Sequence, residues 1–481
     1  MAAGTTGSTA GRFERVLQAR DVVTLAFGAM IGWSWVMLSG RWVAEGGSGG
    51  AMLAFVLGGA AILLIGLLYS ELVAAMPRAG GEHVYAHRAL GANAAFLCSW
   101  ALLMAYVTVC VFEAVALPAA VEYLWPEIRI GTLWHVGDSP VDLGFVIVGA
   151  AGAIVMTIIN LFGIRIAAIA QGLVTLVIIV SGVLLVTGAI SFGDPSNLEP
   201  WLPHGVTGML TVLVMAPAMY VGFDVIPQSA EEINVPPRAL GMLLFLSVLM
   251  AVLWYVAIVA AVAIGLPADA RNGEPMGTAL AADALWAGVG SAPWAGSLMV
   301  LGGIGGILTS WNAFLVGGSR VVYALARDGM LPASLAELHP RWRTPWRALL
   351  IIGVLSVFAP LCGRTVLVWL VDAGSFAIVI AYGMVCVAFL VLRVREPAMP
   401  RPFRVPAGRW VGSAAVLSCV ALFCLYLPWS PAGLEWPAEW AIVGGMAVVG
   451  VLVWWRQRPH FTHDHAAGSV PEPMSEPTSE H

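Results

Sequence analysis

Four acidic side chains lie inside long apolar segments of this 481-residue sequence: Glu71, Glu113, Asp224 and Asp372. A carboxylate at the centre of a bilayer costs about 2.5–3.5 kcal/mol on insertion scales, so a functional role is the default hypothesis. Glu113 is flanked by apolar residues, and it could carry a proton or pair with an amine. The alternative is a protonated carboxyl group bonded to a neighbouring helix. A structural role is favoured for Asp372.

Two of the apolar segments are interrupted by residues that weaken a helix. The stretch 28–35 contains two glycines and a serine, and the stretch 215–224 contains Pro217 and Gly222. In hydrocarbon a freed backbone N–H or C=O group is costly, so such breaks are expected where the backbone lines a cavity or holds a ligand. The alternative is that Gly and Pro are simply common in membrane helices. Paired breaks in two halves of a chain favour a binding site.

The composition indicates a polytopic membrane protein. Hydrophobic residues make up 59% of the chain and charged residues 11%, whereas a soluble domain has about 25% charged residues. No cleavable signal peptide, cofactor or nucleic-acid partner is expected, and the partners are the lipid bilayer and a small molecule. Apolar runs predict twelve spans. The spans are 22–46, 50–76, 94–123, 143–163, 166–192, 208–234, 240–266, 296–326, 346–362, 365–392, 410–428 and 438–455.

Arginine supplies all 23 basic side chains, because the sequence contains no lysine. With the N-terminus inside, only Arg41, Arg129, Arg271 and Arg364 fall outside, and nineteen arginines face the cytoplasm. Cytoplasmic loops carry the excess of basic residues, so both termini are predicted to be cytoplasmic in a multi-pass protein of the cell membrane.

The two interruptions also predict a repeat, since Met30 and Tyr220 lie 190 residues apart. The expected fold is all-α, with 12 transmembrane helices, a 5+5 inverted repeat, interrupted helices 1 and 6, and helices 11 and 12 outside the repeat. The predicted units are a cytoplasmic N-terminal segment at 1–21, the first repeat at 22–192, the second at 208–392, helices 11–12 at 410–456, and a disordered cytoplasmic tail at 457–481.

Three motifs resemble the amino acid–polyamine–organocation (APC) permeases, and the resemblance covers residues 20–400. They occur in the order and spacing of that family: YSELVAAMPRAGGEHVY at 69–85; GFD at 222–224 with AEEIN at 230–234 and PR at 237–238; and SRVVYALARDGMLP at 319–332 with TP at 344–345. The resemblance implies the interrupted-helix, inverted-repeat fold. It also implies a permease that moves an amino acid or related amine by alternating access, without covalent chemistry.

The resemblance further implies a substrate site at the two breaks. A substrate carboxylate would bind backbone N–H groups after Gly32, and an ammonium group would meet backbone carbonyls. The sequence departs from the family's small residues at Trp33, whose indole would narrow this space. The predicted substrate-binding residues are Ala29, Met30, Gly32, Trp33, Ser34, Ala218, Tyr220 and Phe223. For the two aromatic residues of the second break, packing is the alternative to substrate contact.

The mode of coupling stays open between sodium, protons and exchange. Many proton-linked relatives carry a lysine on the fifth span, near Ile178 here, and this chain has none. Sodium-coupled members of the fold offer a hydroxyl pair like Thr309 and Ser310, which with carbonyls of Gly28 and Ile31 would form an all-oxygen sodium site. The alternative is that both hydroxyls bond the preceding turn. The coupling candidates are Glu113, Asp224, Gly28, Ile31, Thr309 and Ser310.

A cytoplasmic gate is predicted at Glu231, Glu232 and Arg238, which are expected to form ion pairs. The alternatives to an amino acid permease are a transporter of amines without a carboxylate, which Trp33 and Glu113 favour, and an amino acid exchanger. A membrane enzyme is less favoured, because no nucleophile–base pair, metal cluster or nucleotide loop is evident. A transport-dead sensor is less favoured, because neither tail is long enough for an obvious signalling domain. The substrate, the direction of net transport and the oligomeric state stay open.

Overall fold

The computed structural model describes residues 13–136, 139–271, 276–289, 294–430 and 433–461. These residues form sixteen α-helices and one antiparallel hairpin. The helices α1 to α16 are Ala19–Met30, Ser34–Met37, Ser39–Ala75, Gly81–Leu90, Ala92–Leu124, Leu143–Leu161, Ile164–Phe192, Gly205–Met219, Val225–Gln228, Pro237–Gly265, Gly277–Leu285, Trp294–Arg327, Trp346–Phe358, Val366–Arg395, Gly408–Leu425 and Ala438–Gln457. The strands β1 and β2 are Thr132–Val136 and Ser139–Asp142.

Long apolar helices dominate the fold. Across the described ranges, nine helices are long and apolar enough to cross a membrane: α3, α5, α6, α7, α10, α12, α14, α15 and α16. Two shorter apolar helical stretches lie at Gly205–Ala216 and Trp346–Cys362. The prediction of an all-helical polytopic membrane protein is confirmed. A helix lies at each of the twelve predicted stretches, while the count of twelve crossings and the inverted repeat stay predictions.

Both predicted interruptions are present, and they lie against each other. Helix α1 ends at Met30 and α2 begins at Ser34, while α8 ends at Met219 and α9 begins at Val225. Gly222 has a φ of +132°, a conformation that favours glycine. A Cβ atom at Gly222 would lie 2.7 Å from Cβ of Ala29, so the second break packs directly on the end of α1.

Helix α12 is the most buried of the nine long helices, with 83% of its apolar window inside the protein. Its glycines let the first break approach closely. A Cβ atom at Gly306 would lie 2.5 Å from the carbonyl oxygen of Gly32 and 2.7 Å from that of Ile31, and a Cβ at Gly303 would overlap the Trp33 ring. The segment between α1 and α2 therefore rests on the bare backbone of α12.

The C-terminal end of the chain differs in part from the prediction of disorder. Helix α16 continues to Gln457, a 3-10 turn follows at Arg458–His460, and Phe461 is buried. The ring of Phe461 stacks on Phe96 with centroids 6.0 Å apart. Burying an aromatic ring stabilises this segment. Residues 457–461 are therefore ordered, which corrects the prediction of disorder for this part of the tail. The rest of that tail, from residue 462, and residues 1–12 of the predicted N-terminal segment lie outside the described residues.

Candidate functional site

A cavity of about 410 Å³ lies where the two breaks meet. This volume is within the range of small-molecule sites, about 300–1,000 Å³. The predicted substrate-binding residues that line it are Ala29, Met30, Gly32, Trp33, Ser34 and Ala218. Two coupling candidates, Glu113 and Ser310, line it as well. The breaks thus supply the cavity wall that the sequence analysis placed at them.

Tyr220 and Phe223 pack inside the protein rather than along this cavity. The hydroxyl of Tyr220 donates to the carbonyl of Phe55 at 3.0 Å. The ring of Phe223 packs on Tyr69 and Tyr382, with centroids 5.2 and 5.3 Å away. Both side chains are completely buried. In this conformation the packing alternative holds for both aromatic residues.

Tyr255 of α10 is a site residue that the sequence analysis missed. Its hydroxyl donates to the carbonyl of Met30 at 2.9 Å and lies 3.4 Å from Oγ of Ser34. The carbonyl of Met30 is one of those freed where α1 ends, and a buried acceptor without a donor is costly. Tyr255 therefore stabilises the break and joins both of its sides.

The indole of Trp33 is buried and rests on α12. It is 1% exposed, and its ring lies against Gly303, where α12 has no side chain. The ring therefore fills the space above a glycine, and it narrows the cavity less than its size suggests.

We expect Trp33→Gly to enlarge the cavity and broaden the range of accepted solutes, because the indole is part of its wall. Removing a buried tryptophan also destabilises a protein by about 3–5 kcal/mol, so the apparent melting temperature should fall. Competition by a series of solutes of increasing size, measured on variant and wild type, checks the first effect. An unchanged size preference would show that Trp33 does not limit the site.

Glu113 and Ser310 are brought together beside Gly32. The hydroxyl of Ser310 donates to Oε1 of Glu113, and a Cβ atom at Gly32 would lie 3.6 Å from that oxygen. Glu113 is 2% exposed, and its Oε2 receives no hydrogen bond from any described group. No arginine in the described ranges forms an ion pair with it. A buried carboxyl group in such surroundings must hold a proton or meet an external cation.

Two of the candidate sodium ligands, Thr309 and Gly28, lie next to each other. Thr309 donates to the carbonyls of Gly305 and Gly306 at 3.0 and 3.1 Å, as the alternative to a sodium site anticipated. Gly28 lies beside it, since a Cβ atom at Gly28 would be 3.0 Å from Cβ of Thr309. The Thr309 hydroxyl is thus used within α12, and a sodium site here stays a prediction.

Asp224 anchors the second break to two other helices. It accepts hydrogen bonds from the hydroxyl of Tyr106, from the hydroxyl of Tyr382 at 2.8 Å, and from the backbone N–H of Gly222 at 2.9 Å. These partners belong to α5, α14 and the break itself, and Asp224 does not line the 410 Å³ cavity. A carboxylate with three donors is well satisfied, so its geometry is that of a structural anchor.

The end of the bundle opposite the cavity mouth is closed by a buried ion pair. The guanidinium of Arg320 donates to both oxygens of Glu232, at 2.8 and 3.0 Å, and both side chains are almost fully buried. Glu231 lies 3.7 Å from Arg327. These contacts correct the prediction for Arg238, which is exposed at the start of α10. The acidic residues pair with α12 because α12 passes beside them in the fold.

Beside this end, three buried polar residues form a hydrogen-bonded row that was not predicted from the sequence. Nδ1 of His83 lies 2.8 Å from Oγ of Ser99, and Nε2 lies 2.9 Å from a carboxylate oxygen of Asp328. Burial raises the pKa of Asp328, but the hydrogen bond and charge of His83 and the charge of Arg327 outweigh it and lower the pKa below its ordinary value. The row resembles a hydrolase triad in composition, yet none of the three residues lines the 410 Å³ cavity.

Interrupted helices around a cavity, set in a bundle of long apolar helices, define a multi-pass membrane protein of the transporter class. The chain belongs to the amino acid permease family, whose model matches residues 17–461. The resemblance that the three motifs predicted is thereby confirmed.

Three relatives are similar over most of their length. The chain is 26% identical over 437 residues to the methylthioribose transporter of Bacillus subtilis (strain 168), which covers 89% of this chain and 92% of the relative. It is 26% identical over 458 residues to the branched-chain amino acid permease BcaP of the same organism, covering 92% and 90%. It is 27% identical over 408 residues to that organism's aspartate-proton symporter, covering 82% and 76%.

Proposed function

We propose that the protein is a secondary active transporter that moves an amino acid or related amine across the cytoplasmic membrane by alternating access. The observation that carries this proposal is the cavity at the two breaks, with Glu113 in its wall. Carbonyls at the end of α1 suit an ammonium group, and the backbone N–H groups of the first break suit a carboxylate. Family membership supports the same conclusion.

The cavity mouth is proposed to face the outside. The closed end contains Arg320 and Arg327, and the opposite end contains Arg41, one of four arginines assigned outside. Because cytoplasmic ends carry the excess of basic residues, the closed end is assigned to the cytoplasm. The conformation is then one in which solute enters from outside, and transport requires the Glu232–Arg320 pair to open.

The charge of the cavity favours a cationic solute. Among the described lining residues, Arg41 is the basic one, against the acidic Glu113, Asp372, Glu435 and Glu439. The three relatives named above transport chemically different solutes, so their names do not choose among substrates. Excess negative charge raises the local concentration of cations. A cationic amino acid or an amine without a carboxylate is therefore favoured over an anion.

Proton coupling through Glu113 is the favoured driving mode. Within the described residues Glu113 has Ser310 as its partner and no arginine, so a proton from solution can neutralise it. Glu113 would then take up and release this proton as the cavity opens to one side and then the other. Sodium coupling is the second candidate, and the neutral oxygens of Thr309, Ser310, Gly28 and Ile31 would hold the ion. A sodium ion there would order the first break against α12.

Thr309→Ala separates these two modes, because the Thr309 hydroxyl bonds the carbonyls of Gly305 and Gly306 rather than Glu113. Under proton coupling we expect uptake by the variant to stay within about twofold of wild type, since only bonds within α12 are lost. Under sodium coupling a ligand disappears, and the sodium dependence of uptake should fall severely. Uptake by both proteins is measured across a range of sodium concentrations at fixed ionic strength and pH.

The proposed function itself is tested with purified protein in liposomes. Amino acids and amines are screened for uptake with proton and sodium gradients imposed separately. Accumulation driven by either gradient supports a secondary transporter. Counterflow without gradient-driven accumulation indicates an exchanger, and the absence of both fluxes for every solute contradicts the proposal.

A further inference from the structure

The mouth of the cavity carries an acidic cluster that takes no part in the proposed proton coupling. Asp372 lies near the start of α14, Glu439 near the start of α16, and Glu435 just before α16. All three line the cavity, and Arg41 of α3 lines it on the same side. Glu435 and Arg41 are exposed, so this is the end that opens to solvent.

Asp372 and Glu439 face each other directly. Both side chains line the cavity, and their carboxyl groups lie close enough to interact. Two ionised carboxylates repel, so this contact requires a shared proton or an intervening cation. Glu439 is 1% exposed, and its Oε2 accepts from the backbone N–H of Glu435 at 2.7 Å. Its Oε1 is buried and receives no hydrogen bond from any described donor.

The described residues do not supply the missing positive charge. Arg41 acts on Asp372 only at longer range, and no ion pair within 4.0 Å joins a described arginine to any of the three acids. A buried carboxylate without a donor is costly. The arrangement therefore suits a cation that arrives from solution.

The surroundings of the pair select an organic cation. Leu370, Val371 and Tyr426 line the cavity beside the acids, and the cavity continues inward to Glu113. Calcium requires six to eight oxygen ligands, and magnesium a near-ideal octahedron. A wall that is apolar next to a pair of carboxylates better fits an ammonium group carried on an alkyl chain. The aromatic face of a tyrosine also attracts such a cation.

We propose that Asp372 and Glu439, assisted by Glu435, form an outer subsite that binds the ammonium or guanidinium group of an incoming organic cation. The subsite rests on the proposed function in that the cavity is the transport path. The cation displaces the proton that the two carboxyl groups share, and the proton leaves to solvent. Attraction of the cation by this subsite precedes its movement inward along the cavity.

The probe is n-butylammonium chloride, with 1-butanol as the matched uncharged molecule. Titration calorimetry uses the full chain in detergent and two buffers of different ionisation enthalpy, which reveal proton release. All titrations are made with the Glu113→Gln protein, so that Glu113 does not bind the probe as a carboxylate. We expect saturable binding of butylammonium, release of up to one proton, and no binding of butanol.

Asp372→Asn with Glu439→Gln should weaken butylammonium binding by about tenfold or more, because both charges in contact with the ammonium group are removed. Glu435→Gln, at an exposed position where folding is not at risk, should weaken it by about two- to fivefold through lost attraction. Binding should also weaken as salt is raised, since the site opens to solvent. A melting curve of each variant shows whether it is folded.

Absence of butylammonium binding before the acids are changed would overturn the subsite and leave a shared proton only. Binding that Glu435→Gln and the double variant leave unchanged would overturn it too, since the probe then binds elsewhere. If liposomes show no transport but binding follows the predicted pattern, the transport function fails and the subsite stands. If liposomes show transport but butylammonium does not bind as predicted, the subsite fails and the transport function stands.

Discussion

Glu113→Gln is expected to abolish proton-driven accumulation while leaving counterflow intact. Glutamine keeps the size of the side chain and can still bond Ser310, but it cannot ionise. A gradient of one pH unit corresponds to about 1.4 kcal/mol, so a carrier coupled to one proton can concentrate its solute about tenfold. The variant should reach no more than equal concentrations on both sides. Uptake into liposomes with an imposed pH gradient measures this ratio.

The control is Glu127→Gln, the same change at an exposed position in the 3-10 turn after α5. It should accumulate solute like the wild type. Tenfold accumulation by Glu113→Gln would remove Glu113 from the coupling mechanism. Loss of counterflow together with accumulation would indicate that Glu113 binds the solute directly and is needed for every transport step.

Arg320→Ala should produce the largest loss of stability among single changes at the closed end. Its removal leaves Glu232 buried without a cation, and breaking one side of a buried ion pair costs about 3–5 kcal/mol. The backbone carbonyl of Glu232 also accepts from the N–H groups of Val16 and Leu17, each at 3.0 Å. The apparent melting temperature in detergent should therefore fall sharply, and protease access to the segment before α1 should rise.

Arg238→Ala is the matched control, because Arg238 lies close in sequence to Glu232 but is exposed. Exposed substitutions usually change stability by less than about 0.5 kcal/mol. The exchanged pair Glu232→Arg with Arg320→Glu should recover part of the loss if the attraction itself matters. Equal melting temperatures for Arg320→Ala and Arg238→Ala would contradict the proposed role of the Glu232–Arg320 pair in stabilising the closed end.

The sequence predicted the breaks well because their cause is local. Gly32 and Gly222 weaken the helices in which they stand, and no distant residue is needed to infer that. The partner of Glu232 was predicted wrongly for the opposite reason. Arg320 lies 88 positions away, and only the packing of α12 brings it closer than Arg238.

The residues that form the site also show that partners distant in sequence are hard to predict. Tyr255 bonds Met30 across 225 positions and stands in an ordinary apolar run, so nothing near it in sequence marks its role. Trp33 looked obstructive in sequence, because the glycine that receives its ring lies in a different helix. Glu113 and Ser310 were assigned to rival coupling modes, and the fold joins them in one hydrogen bond.

The glycines of α12 determine how the first break can move. At Gly303 and Gly306 the facing groups are the Trp33 ring and the carbonyls of Ile31 and Gly32, with no side chain of α12 between them. Interlocked side chains resist sliding, because ridges must climb out of grooves. At these two positions the surface of α12 is smooth, so α2 can slide along α12 without moving one side chain past another. One methyl group on either glycine would clash with the facing groups and block this movement.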